Sequence, residues 1–374
     1  MKRNVLVIMI TALFVTTVNS AEIYNQDGNQ LDFYGKMKAR HHFTKKDSHE
    51  RGDNSNFTLG IKGNVYISDE FRGYGHFALN TNTNTTEDES IHKNKLAYIG
   101  FSSPNYGSID YGRNYGVLRD ISVWTNISPL FNLGYIRQSD SYMVGLNRNL
   151  LTYRTADFFG LVDGLNFALQ YQGKNKNNNS GSKDILKNNG SGWGLSVQYD
   201  VGDSGVTLGL GYIRSNTIIP LNLSQEMYES TYSDHPQGWN LGVKYKFNNL
   251  YTAAIYGEHF RLSRIVGDFD RIESDIDNIG NKTENLELVA QYSFDDLGLK
   301  PSISYIESTK KDNGNVLSRQ KLLKYISLGT YYNFNKNLVA VVDYKMNLIN
   351  NNEFTQTHNI GTDSVFGVGL IYQF

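Results

Sequence analysis

The 374-residue chain contains no cysteine and only 5 prolines. Without cysteine there is no disulfide framework, so stability must come from hydrogen bonding and packing. Beyond the N-terminal twenty residues no stretch reads as a long apolar helix. Charge of one sign is also missing. Lys and Arg number 36 against 37 Asp and Glu, for a formal net charge of −1. That balance gives no argument for a nucleic-acid partner.

What is present begins with an export signal. Lys2 and Arg3 supply positive charge, and a mostly apolar run from Val5 to Val18 follows. Val18-Asn19-Ser20 then places acceptable residues for cleavage before Ala21. The run is too short for a spanning helix, although a retained anchor is the alternative. Residues 1–20 are therefore read as a removed signal peptide, and 21–374 as one domain. Removal of Lys2 and Arg3 leaves a mature chain of charge −3.

Aromatic residues are abundant, with 26 Tyr and 19 Phe, and glycine reaches 35. Tyrosine suits a membrane–water boundary, where the ring sits in the apolar zone and the hydroxyl stays wet. A soluble β-protein can be tyrosine-rich too.

The aromatics fall into strands. Side chains on a strand alternate between two faces. At the C-terminus, Phe366, Val368, Leu370, Tyr372 and Phe374 share one face, opposite Val365, Gly367, Gly369, Ile371 and Gln373. Trp239, Leu241, Val243, Tyr245 and Phe247 alternate with Asn240, Gly242, Lys244 and Lys246. Leu286, Leu288, Ala290, Tyr292 and Phe294 alternate with Glu287, Val289, Gln291 and Ser293. In a soluble sandwich the apolar face would be the core; in a wide membrane barrel it faces lipid.

Connection lengths separate the two. Short links at 201–205, 248–249, 295–298 and 334–337 alternate with long polar ones near 43–53, 82–92, 174–191, 216–235, 262–283, 308–321 and 348–361. Short–long alternation belongs to an outer-membrane barrel, with turns at one end and loops at the other. The count gives an all-β, 16-stranded antiparallel transmembrane β-barrel. Such a barrel is wide enough for an aqueous channel. One connection, about 114–147, exceeds the usual loop range. It carries Trp124, Phe131, Tyr135, Tyr142 and Met143, too many anchors for a free linker. A loop folded into the lumen and packed on the wall is the expectation.

Several blocks then resemble the enterobacterial general-diffusion porins of the OmpC/OmpF/PhoE type. They include Ala21-Glu22-Ile23-Tyr24-Asn25, Tyr34-Gly35-Lys36 and Asp110-Tyr111-Gly112-Arg113-Asn114-Tyr115-Gly116. Asp157-Phe158-Phe159-Gly160-Leu161-Val162-Asp163-Gly164-Leu165-Asn166-Phe167, Val342-Asp343-Tyr344-Lys345 and the terminal Tyr372-Gln373-Phe374 continue the series. The resemblance spans essentially the whole mature chain. It implies a homotrimer of barrels in a Gram-negative outer membrane, each a passive channel for ions and small hydrophilic solutes. No enzyme chemistry, cofactor or metal is expected. The resemblance also implies that Phe374 resembles the signal read by the barrel-assembly machinery, and that outer loops meet lipopolysaccharide, phage or antibodies.

In the family, acids on the third loop face a basic cluster across the channel. The family loop usually reads Pro-Glu-Phe-Gly-Gly, with an acid three residues before the proline. Here Pro129-Leu130-Phe131-Asn132-Leu133 and Asn126 stand in those places, so both usual carboxylates are gone. Asp120 and Asp140 remain, beside Arg119, Arg137 and Arg148. On the wall, alternation puts Lys36, Lys38 and Arg40 in a row with Asp32, Tyr34 and His42. Lys93 and Lys95 share a face opposite Leu96 and Tyr98, and Lys95 and Arg154 match family arginines. Thr58 replaces another such arginine, and Leu146 lies near a third. Charges in a confined pore bias which ions enter. The expectation is an eyelet that is weakly cation-selective to anion-leaning, unless these bases are paired elsewhere.

Rival readings exist. Asp234-His235 lies in an outer loop, but the acidic pair Asp295-Asp296 sits on a turn at the opposite end, so acid–base catalysis lacks reach. His41 and His42 are adjacent on a strand and point apart, so they do not chelate one metal. A substrate-specific channel would use Trp124, Phe131, Tyr135 and Tyr142 as an aromatic track. A structural or adhesive barrel would have a plugged lumen.

Overall fold

The computed structural model describes residues 20–45, 51–89, 92–131, 134–140, 142–175, 188–216, 235–263, 282–311 and 319–374. The readings for residues 1–19, for Asn132, Leu133 and Asp234, and for the part of the long link at 176–187 lie outside the described residues.

The chain opens with β1 (Ala21–Gln26), which folds back onto β2 (Asn29–Phe43) through Asp27 and Gly28. Both turn residues have positive φ, 54° and 77°, as a two-residue hairpin of this hand requires. A two-residue β3 (Gly52–Asp53) touches the far end of β2. The wall continues through β4 (Asn56–Tyr66), β5 (Arg72–Asn82), β6 (His92–Ser103) and β7 (Gly107–Tyr115). Next come β8 (Leu146–Thr155), β9 (Leu165–Gln172), β10 (Gly192–Asp200), β11 (Val206–Ser215) and β12 (Gln237–Phe247). The last staves are β13 (Leu250–Phe260), β14 (Lys282–Tyr292), β15 (Leu299–Lys311), β16 (Arg319–Asn333), β17 (Leu338–Asn347) and β18 (Val365–Gln373).

Each pairs antiparallel with its neighbour, and β18 closes on β2 from Phe366 opposite Phe43 to Gln373 opposite Lys36. Because among the described residues β1 and β3 pair only with β2, the closed wall has 16 strands. Closure leaves no exposed sheet edge, which is what lets a sheet cross a membrane with its backbone satisfied. The terminal residue completes the seam. Gly35 N–H donates to the Phe374 carbonyl at 3.0 Å, and Phe374 N–H returns the bond at 3.1 Å.

The two faces are chemically inverted relative to a soluble protein. On β12, Leu241, Val243 and Phe247 are exposed, whereas Gly238 and Asn240 are buried. On β6, Ile99 is 73 % exposed. The apolar residues therefore face outward, toward lipid, and the polar ones face inward.

Two expectations need correction. Lys93 and Lys95 were expected on a face opposite Leu96 and Tyr98. The pairing of β5 with β6 shifts between Ala78 and Leu79, so Ala78 faces Leu96 while Leu79 faces Asn94. Lys95 is the extra residue of this bulge, which lets two neighbours share a side. Leu96 packs with Tyr34 and Ala78 on the inner face, and Tyr98 shares a hydrogen-bond chain with Tyr34 there. The second concerns the link read at 308–321. It is shorter, because β15 runs to Lys311 and β16 begins at Arg319. Polar residues at both strand ends disguise a continuing ladder.

Candidate functional site

The chain between β7 and β8 rises from Gly116, turns through the one-turn helix α1 (Arg119–Ser122), and returns near Gly145. It packs against the inward-facing side of the wall. Val117, Leu118, Ile121 and Met143 are fully buried. At about 2 kcal/mol for each buried aliphatic side chain, apolar contact outweighs any single exposed charge pair in holding the segment.

The wall is shaped to receive it. At Gly209 and Gly242 the ring of Trp124 occupies the space where a Cβ would stand. A Cβ on Gly211 would meet Leu118 at 3.1 Å, one on Gly329 would meet Pro129 at 2.6 Å, and one on Gly367 would meet Leu130 at 2.6 Å. A trough of glycines on the inner face admits the segment. The sequence carried that signal as glycines on polar faces, but alternation alone does not say what fills them.

Polar contacts fix the position. Asp343 on β17 accepts the backbone N–H groups of Leu130 at 3.0 Å and Phe131 at 3.3 Å, and takes a bond from Ser327. Tyr251 donates to the Trp124 carbonyl at 2.7 Å, and Lys244 lies 4.7 Å over the Trp124 ring. His42 rests against Phe131 with ring centroids 5.1 Å apart. Lys345 lies 5.6 Å from the Phe131 ring. Asn126 closes the 3-10 turn Val123–Thr125 through its backbone.

The charged residues singled out in the sequence divide into two groups. Asp120, Arg137, Asp140 and Arg154 are engaged in pairs. Arg154 makes a two-pronged bond to Asp120, at 2.6 and 3.1 Å, and Ser196 donates to the same carboxylate at 2.6 Å. Arg137 reaches Glu287 of β14 at 2.5 Å. Asp140 takes two bonds from Arg113, at 2.7 and 3.3 Å. Neither Glu287 nor Arg113 was singled out as a site residue. Arg119 lies 4.4 Å over the Tyr115 ring. Burial pulls its pKa below the ordinary arginine value while Tyr115 pulls it back.

The second group gathers on the wall. Lys36, Lys38, Arg40 and Lys95 lie close enough to repel one another around Lys38. Arg40 is held at the Asn54 carbonyl at 2.6 Å. Lys93 stands beyond them near the rim, exposed, opposite Asn80. Arg148 lies where the loop enters β8, its backbone N–H donating to Asn147 at 2.8 Å. The Phe374 ring sits over Gly35 with its centroid 5.8 Å from that of Phe33, at the seam.

A closed 16-stranded wall with an apolar outside and a polar inside is a channel architecture. Residues 26–374 match the family model of the Gram-negative porins. The chain belongs to the Gram-negative porins. Outer membrane porin F of Xenorhabdus nematophila is 47 % identical over 386 residues, covering all of both chains. Outer membrane protein F of Serratia marcescens is 44 % identical, again over the full length of both. The solved structure of Salmonella typhi OmpF in complex with daunomycin aligns with a TM-score of 0.82 at 37 % identity, covering 95 % of this chain and 100 % of that one. This porin is thus an outer-membrane general-diffusion channel of a Gram-negative bacterium, and its family is one of channels rather than enzymes.

Proposed function

We propose that the segment 114–147 is the constriction loop of a trimeric porin, and that its eyelet is weakly cation-selective to anion-leaning. One observation carries this reading. The cations Lys36, Lys38, Arg40 and Lys95 cluster on one wall, while Asn126 and Leu130 stand where the family has loop carboxylates. The remaining loop acids, Asp120 and Asp140, each meet an arginine. Net positive charge beside a low-dielectric constriction concentrates anions there. Lys93 and Arg148 extend the basic lining outward. The aromatic residues Trp124 and Phe131 are held by wall contacts, which favours anchoring over a sugar track. Planar bilayers with a salt gradient test the reading. Large conductance steps arriving in threes, with a reversal potential near zero or on the anion side, are expected. Strong cation preference overturns the selectivity proposal.

Partners follow the same reading: a second and third copy of the chain, the barrel-assembly machinery at Phe374, phage or antibodies on outer loops, and lipopolysaccharide. The last has support on the lipid-facing wall. Outward positions at the loop end of β13 to β16 carry five cations, Lys282, Lys311, Arg319, Lys321 and Lys324, with Glu258, Glu284 and Glu307. Tyr256 and Tyr305 donate to Glu258 and Glu307 from below this belt. Beneath lies an apolar hollow of about 380 Å³ around Ala254, Leu288, Ala290 and Ile303. A phosphorylated outer-leaflet lipid matches a cationic belt above an acyl-sized hollow.

A further inference from the structure

Glu287 is 1 % exposed on β14, facing inward, on a strand whose other inner residues, Thr283, Asn285, Val289 and Gln291, carry no charge. It meets Arg137, whose side chain is itself only 5 % exposed. The same guanidinium Nη1 donates to the Ser122 carbonyl at 2.9 Å and to Thr125 Oγ1 at 3.1 Å, and the Thr125 hydroxyl bonds to Glu287 in turn. Ser122 and Thr125 belong to the descending arm of the loop, Arg137 to the returning arm and Glu287 to the wall. One ion pair therefore joins three elements. Around it, Ile121, Trp124 and Ile136 pack on Ala253, Ile255 and Val289, which keeps water out and makes loss of either charge costly.

We propose that Glu287 is a positioning residue for the eyelet: by binding Arg137 it clamps both arms of the loop to the wall and withdraws one positive charge from the channel. This rests on the proposed constriction role of the loop. Two effects follow, and they separate. Loosening either partner lets the arms move, so both E287Q and R137Q raise open-channel noise. Their effects on ion preference have opposite signs. E287Q leaves Arg137 uncompensated and moves selectivity toward anions; R137Q leaves Glu287 uncompensated and moves it toward cations.

The test is single-channel recording of the full-length protein in planar bilayers. The variants are E287Q, R137Q, the double variant E287Q/R137Q, and the exchange E287R/R137E. Folding is checked by β-sheet circular dichroism and heat-stable oligomer mobility. The expected result is at least an about tenfold rise in time spent in closed or partial substates for each single variant, the scale set by breaking a buried pair. The double variant should return ion preference to the parent value. Singles that match the parent in noise, or that shift reversal potential in the same direction, overturn the proposal. If the singles do not fold, a double variant that folds and shows parental noise also overturns it. A loop that does not narrow the channel would instead show as parental conductance in a variant lacking residues 121–136, which fails the constriction role itself.

Discussion

Asp343 and Leu130 lie 213 positions apart in sequence, yet the Asp343 carboxylate accepts the Leu130 backbone N–H at 3.0 Å. A second bond runs from Phe131 to the same oxygen, and Ser327 holds the other. The tip of the loop is therefore fixed through its main chain, whatever its side chains are.

Replacing this acceptor should release the tip. Asp343→Ala takes away the oxygen on which two N–H donors converge, removing hydrogen bonds to a charged group worth about 2 kcal/mol each. The expected outcome is a noisier open state and a lower closing voltage with the oligomer intact, measured by voltage ramps on single channels.

The Arg154–Asp120 pair should behave as a half-buried unit. Removing one partner by R154Q or D120N strands a charge and should cost about 3 kcal/mol, whereas the double variant should cost less than either single. Thermal unfolding followed by circular dichroism checks this ordering.

Wall glycines offer a test that involves no charge. Gly209→Val places methyls where Trp124 stands, and overpacking of this kind costs about 1–3 kcal/mol. Gly73→Ala, where the nearest atom is 3.6 Å from the added Cβ, should be neutral. Liposome swelling with sugars of graded size should show an altered size limit for the first and none for the second.

Lys38 is placed between Lys36 and Arg40 on the inner face of β2, with Lys95 also near, so a carboxylate put there acts at the middle of the basic cluster. Lys38→Glu places a negative charge at the cluster centre. At a partly screened interaction of about 1 kcal/mol, the cation-to-anion permeability ratio should rise roughly fivefold. Reversal potentials in a tenfold salt gradient measure it.

The wall was legible in sequence because its signal is local. Period-two alternation needs only neighbours, and Leu241, Val243 and Phe247 announce their face without reference to the rest of the chain. What failed was also local but silent. One extra residue at Lys95 reverses the side of everything after it, and nothing in the types of Lys95 and Leu96 marks it. The inner face of β18 carries Val365 and Ile371, which suits a water-filled interior poorly until Leu130 and Phe131 are seen to cover them. The site depended on contacts across the barrel. Neither the pairing of Asp120 with Arg154, 34 positions on in the strand the loop leads into, nor that of Arg137 with Glu287, 150 positions away, follows from the alternation of side chains along a strand.

The glycine trough makes the proposed aperture adjustable from behind. In the proposed constriction, solutes pass the exposed side of the loop, while its depth of seating is set by atoms missing from the wall at Gly209, Gly242, Gly329 and Gly367. A single added methyl on that hidden side lifts the loop toward the passage without placing any new group in a solute's way. Permeability can drift through mutations that never touch what permeates.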